Sequence, residues 1–397
     1  MGDRRRKNGR SLPGAHLMHE QNKTRVALTR CPDYNEDRVR GAVREAVALI
    51  GGVGDIIKPG DKVLLKANLL APSDPGDAVT THPAVARAVI EIVKEAGGVP
   101  VVADSPGYFY AGGRCRALTM CGLKDVADEL GVDSTQFEAI ENGFQKIEVP
   151  GSIYLKSIYA ARLALEADFI VNLPKIKTHA STWFTGAVKN MFGAVATSTR
   201  KEAHALATYE RFSGALVDVY SVFRPGLAIM DAIVGMEGEG PRHGNKRSLG
   251  LIIASKDPVA LDAAASRVIG FDPLEIFATR DADARGLGNG DIDRIEVLGE
   301  QIANVEIDFE KPSGRRINMH PAVMKIGYRF LRVRPECVES LCDKCQICAK
   351  SCPVNAITMN SYPEIDRDIC IECYCCNEMC PTGAMEIKKN WLAKRLS

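Results

Sequence analysis

The chain has 397 residues, 46% of them hydrophobic and 25% charged, with a formal net charge of +1. That balance suits a globular protein of two or three domains. It supplies no global basic field for nucleic acid, and no apolar run reaches the roughly 18 residues that span a bilayer.

Residues 1–20, MGDRRRKNGRSLPGAHLMHE, are basic and polar and read as a disordered extension. SLPGAHLM is too short and broken for the apolar core of an export signal, so a cytoplasmic location is expected. Met18 is a second candidate start.

From 21 to 310 two patterns alternate. RVALTR (25–30), KVLLKAN (62–68), VPVVAD (99–104), DFIVN (168–172), LAIMD (227–231) and LGLIIAS (249–255) are short apolar runs that predict buried strands. Between them lie helical patterns. In THPAVARAVIEIVKEAGG, Val85, Val89, Ile92, Val93 and Ala96 recur at helical spacing, with Pro83 at the first turn and Gly97 at the stop. The expected fold class is α/β, a mainly parallel sheet flanked by helices.

Polar residues gather where the predicted strands end. Lys66 and Asn68, then Asp104, then Asn172, then Asp231 with Glu237 beyond it, mark the carboxyl ends at which open α/β sheets bind ligands. NLPKIKTHASTWFTGAVKNMFG (172–193) adds Lys175, Lys177, His179, Lys189 and Asn190. Lysines beside a helix N-terminus make an anion site. Substrate contacts are therefore expected from Asn68, Asn172, Lys175, Lys177, Lys189 and Asn190. Asp104, Asp231 and Glu237 would move protons or hold a divalent metal, and Lys66 and His179 are the candidate general acids. No G-x-G-x-x-G, P-loop or G-x-S-x-G motif is present, which disfavours nicotinamide, ATP and serine-hydrolase chemistry.

Residues 311–336 read as a linker ending in a short segment that docks the tail. The tail, 337–390, holds ten of the thirteen cysteines. Clustered thiols on a long chain without an export signal suit metal ligation better than a disulfide scaffold. Cys342, Cys345, Cys348 and Cys352-Pro353 read C-x2-C-x2-C-x3-C-P, and Cys370, Cys373, Cys376 and Cys380-Pro381 repeat it 28 residues later. Zinc prefers two separated C-x2-C pairs. The triplet with a trailing Cys-Pro suits a [4Fe–4S] cube whose fourth ligand comes from the other run. The expected sets are Cys342, Cys345, Cys348 and Cys380 for one cluster, and Cys370, Cys373, Cys376 and Cys352 for the other. Cys337 and Cys375 are left over, although Cys375 could exchange with Cys376. Glu364, Asp366, Asp368, Glu372 and Glu378 read as an acidic surface that favours a low potential. Residues 391–397 read as a short tail.

The cysteine tail resembles bacterial-type two-cluster ferredoxin domains, which implies a small α+β fold. VLLKANLL, Asp104-Ser105-Pro106, NLPKIKTH with TGAVKNMFG, DAIVGMEGEGP (231–241) and SKDPVALDA (255–263) resemble the family called domain of unknown function 362 over residues 24–300. Members often carry such a ferredoxin domain, and the family implies no general reaction. The leading expectation is an iron–sulfur oxidoreductase. It would take single electrons from a ferredoxin-like or other redox protein donor and pass them to a small anionic substrate at the strand ends. The alternatives are a non-enzymatic electron carrier or maturation partner with the body as docking platform, and clusters of purely structural role.

Overall fold

A computed structural model describes residues 23–107, 116–313 and 333–389. The basic extension, Cys115, most of the expected linker and the tail from 391 lie outside the described residues. The body strands are β1 (Thr24–Arg30), β2 (Lys62–Lys66), β3 (Val99–Asp104), β4 (Asp133–Gln136), the hairpin β5 (Phe144–Glu148) and β6 (Ser157–Ala161), β7 (Phe169–Asn172), β8 (Lys175–His179), β9 (Trp183–Thr185), β10 (Leu227–Glu237), β11 (Asn245–Ser255) and β12 (Ile295–Gly299). Every predicted strand is present.

The main sheet runs β12-β1-β11-β10-β7-β2-β3-β4, with β8 on β10 and β9 on β8. The pairs β12–β1, β10–β7, β7–β2, β2–β3, β3–β4 and β10–β8 are parallel, and β11 is antiparallel to both its neighbours. The two-residue period of a strand sorts its side chains onto both faces. Val63 and Leu65 join one apolar cluster with Val39, Val43, Val85 and Val89 from the helices Glu36–Leu49 and Pro83–Glu95. Leu64 faces the opposite cluster, with Leu216 and Tyr220 of the helix Tyr209–Phe223. Burial on both faces is why these strands read as unbroken apolar runs.

The C-terminal region holds two small antiparallel sheets. β13 (Val333–Cys337) pairs with β16 (Met385–Lys389), and β14 (Ile357–Met359) with β15 (Pro363–Ile365). β13 brings the end of the expected linker into this domain. The duplication is visible in the backbone. Lys344 and Gln346 flank Cys345 at φ 59° and 66°, and Glu372 and Tyr374 flank Cys373 at φ 55° and 60°. Left-handed residues at matched places curl each loop so that backbone N–H groups can turn inward. Such a concavity suits an anionic cluster.

Candidate functional site

The cysteines gather in two neighbourhoods, each with thiols from both runs. Cys352, Cys370, Cys373, Cys375 and Cys376 line one cavity of about 20 Å³ with Ile357, Ile365 and Tyr374. The Ala356 N–H donates to Cys352 Sγ at 3.1 Å. In the other set, burial pushes the Cys348 thiol up to about 11, reinforced by Cys380, Cys345 and Cys342. Cys380 of the second run thus stands near the first run's cysteines, and Cys352 of the first run near the second's. Among the described residues no three Cys, His, Asp or Glu side chains close on a single-ion position. Cys337 lies against Cys342, and burial followed by that neighbour raises its thiol to about 12.

A second cavity, of about 70 Å³, opens where β2 and β3 end. Asn68, Asp104, Thr185, Lys189, Gly193 and His204 form its body wall. Cys375, Glu378 and Met379 form the facing wall. Cys375 and Glu378 bound the helix Cys375–Glu378, which also carries Cys376. The cavity therefore lies between the strand ends and one of the thiol sets.

Lys189 is half-buried in this cavity, and among the described residues its ammonium has no hydrogen-bond or ion-pair partner. Burial pulls its pKa down, opposed by Glu378 and then Cys375. Thr185 Oγ1 is buried in the same wall and also lacks a partner. The Glu378 side chain is 13% exposed, and its Oε2 lies 3.6 Å from His179 Nε2, beyond hydrogen-bond length. His179 Nδ1 accepts the N–H groups of Ser181 and Thr182 at 3.0 and 3.3 Å, so the ring proton sits on Nε2, toward Glu378. Burial lowers His179 to about 4 and His204 to about 3, so both rings are neutral near pH 7. Burial alone would raise Glu378, but the groups around it outweigh that and hold it low. His179 contributes most to that lowering, followed by Lys189 at longer range.

Lys66 Nζ sits 2.6 Å from Asp104 Oδ1, both side chains almost fully buried. Lys66 also donates to the Asn190 and Ala67 carbonyls, and Asp104 accepts the Leu69 and Ser105 N–H groups. Burial lowers Lys66 and raises Asp104, each toward its neutral form. Gly193 passes so close that a Cβ there would sit 2.2 Å from Asp104 Oδ1.

The remaining predicted residues separate into two groups. Lys177 Nζ donates to Asn68 Oδ1 at 2.8 Å and the Val79 carbonyl at 2.7 Å. Asn68 donates to Asn190, Asn190 to Asn172, and Asn172 to the Ala187 carbonyl. This chain of amides clamps the ends of β2 and β7 to the helix Ala187–Asn190. Lys177, Asn172 and His179 therefore stand behind the cavity, whereas Asn68 and Asn190 touch it. Lys175 pairs with Asp231 at 2.9 Å, both fully buried, and donates to Tyr34 Oη at 2.6 Å. Tyr34 in turn donates to Asp231. Glu237 accepts the Glu310 N–H.

The structure thus corrects four expectations. Lys175 and Lys177 are buried with partners and do not face the cavity, leaving Lys189 as the lysine with an open ammonium. Asp104, Asp231 and Glu237 do not converge as divalent-metal ligands. The N-terminus of the helix Ala187–Asn190 is not an open anion site, because buried Asp262 accepts its Ala187 and Val188 N–H groups at 2.5 and 2.9 Å. Glu378, expected on an acidic surface, faces the body instead. His204 and Asp262 carried no signal of their own, since each sits in an ordinary helical stretch.

Residues 63–267 match the family described as "Domain of unknown function (DUF362)". The chain belongs to that family. Residues 341–384 match the "4Fe-4S dicluster domain", so this is an iron–sulfur protein of ferredoxin type fused to a DUF362 body. The chain is 35% identical over 253 residues to the "Thylakoid-associated protein sll1697" of Synechocystis, covering 63% of this chain and 76% of that protein. Among solved structures it is similar to the lactate racemase apoprotein from Thermoanaerobacterium thermosaccharolyticum, at 12% identity and a TM-score of 0.42. That alignment covers 63% of this chain and 57% of the racemase. A protein from Thermotoga maritima aligns at 15% identity and a TM-score of 0.36, over 57% of this chain and 56% of its own. No helix among the described residues is long and apolar enough to cross a membrane.

Proposed function

We propose that this DUF362 protein is an oxidoreductase whose ferredoxin domain holds two [4Fe–4S] clusters. It passes single electrons to a small anionic substrate in the 70 Å³ cavity. The observation that carries this reading is the shared wall: Lys189 and Thr185 face the helix that bears Cys376. A guest there is held by a cation and a hydroxyl on the body side, with the clusters as one-electron carriers on the other. Lys66 and Asp104 form the buried pair placed to hold or give up a proton at the cavity edge. A ferredoxin-like or other one-electron redox protein serves as donor.

The test is anaerobic. The clusters are reduced and their reoxidation is followed optically after adding the small-molecule fraction of a cell extract. Reoxidation that Lys189→Ala abolishes supports the enzyme. Reoxidation by the protein fraction alone supports a carrier and removes the substrate from the proposal.

A further inference from the structure

The duplication allows a comparison within one chain. Its two cysteine loops share spacing and left-handed backbone, yet their surroundings differ. In the first loop Asp343, Lys344 and Gln346 are exposed. At the matching places of the second, Ile371 and Glu372 are half-buried and Tyr374 is buried. The body covers the second loop. Ser181 Oγ donates to the Cys373 carbonyl at 2.9 Å, and His243 Nε2 contacts the Asn377 carbonyl at 3.1 Å. Where the first loop has buried Ile347, the second has Cys375 in the cavity wall.

We infer a direction of electron flow. The cluster of Cys342, Cys345, Cys348 and Cys380 is the entry port, and its exposed loop is the surface a one-electron donor protein approaches. The cluster of Cys370, Cys373, Cys376 and Cys352 is the exit to the cavity. Both runs are open at their starts, where Leu341 is 48% and Ile369 47% exposed. The open edge of the second run, however, is rimmed by exposed Glu364, Asp366 and Asp368. Negative charge there opposes an incoming electron and an anionic donor. The first loop presents Lys344 and Lys350 beside Glu339 and Asp343, so its exposed charges balance, whereas the rim sets three carboxylates against Arg367. Each step is a one-electron reduction of one cluster with matching oxidation of its donor, so the relay balances without a further co-reactant. Only the exit step rests on the function proposed above.

The experiment measures cluster reduction by the anionic dithionite radical in stopped flow, at low salt and with no substrate. Lys344→Glu/Lys350→Glu reverses charge on the first loop. Glu at position 344 is sterically sound, because Glu372 holds the matching left-handed place. This variant is expected to slow reduction by about threefold or more, an effect that shrinks as salt is raised. Glu364→Lys/Asp368→Lys is expected to leave the rate within about twofold. A rate governed by the acidic rim, or unmoved by either pair, overturns the assignment. Ser181→Ala is expected to leave reduction unchanged and to slow reoxidation by the extract fraction. Because reduction is measured without substrate, failure of the extract assay leaves the entry assignment standing.

Discussion

Lys175 and Lys189 sit fourteen residues apart in one conspicuous stretch, but their surroundings assign them opposite duties. Lys175 is fully buried against Asp231 and Tyr34, whereas Lys189 is a partly desolvated cation with no partner among the described residues. Removing one member of a buried pair costs roughly 3–5 kcal/mol, because the other charge is stranded. In Lys175→Met the stranded Asp231 keeps the Tyr34 hydroxyl and the His82 and Ile233 N–H groups. The cost should therefore fall at the lower end, about 3 kcal/mol, or about 8 °C in the thermal midpoint of a domain this size. Lys189→Met breaks no ion pair, loses only a longer-range attraction to Glu378 and removes a desolvation penalty, so stability should stay within about 1 kcal/mol of wild type. Thermal unfolding of the anaerobic, cluster-loaded protein, followed by circular dichroism, measures both. Ligand-driven reoxidation should show the reverse order, lost in Lys189→Met. A Lys189 variant as destabilised as the Lys175 variant would refute the argument that Lys189 is kept for a guest.

Three further outcomes follow from the geometry. Asp262 is raised to about 7 by burial, from an ordinary value near 3.8. Its contribution to stability is present at low pH and is lost as pH rises toward 7, so Asp262→Asn should flatten that decline in urea unfolding between pH 4 and 7. Gly193→Ala forces a methyl onto the Lys66–Asp104 pair and should cost several times the roughly 1 kcal/mol of an ordinary substitution, read as a fall in soluble yield and midpoint. Cys375→Ala should leave iron and sulfide content unchanged, whereas Cys376→Ser should lower both, as measured by metal and sulfide analysis.

The strands were legible because burial on both faces writes them as apolar runs with no competing pattern. β11 reaches further than its run because its outer end, Asn245–Ser248, is solvent-facing and paired with β10, and β10 runs on through buried Ala232, Ile233 and Met236, where β8 also pairs with it. The iron–sulfur character of the tail was legible because the cysteine spacing is local. The lysines were only half legible: KIKTH is a strand whose ammonium groups are held by Asp231, Tyr34 and Asn68, all distant in sequence. A charge pattern shows that partners are needed but not where they come from. The Asp262 cap and the turning of Glu378 toward His179 depend on elements that meet only in the folded chain.

The cavity has one wall from each domain, and this bears on why the two are one polypeptide. Apart, the body would present Lys189 on an open groove and the ferredoxin domain would expose the Cys375–Glu378 helix. Neither alone encloses a guest. A covalent tether holds the second wall at millimolar-scale local concentration, so a few polar contacts such as Ser181 to Cys373 can keep it seated. Cutting the chain between residues 313 and 333 would leave both folds intact and still divide a single chamber into two unrelated surfaces.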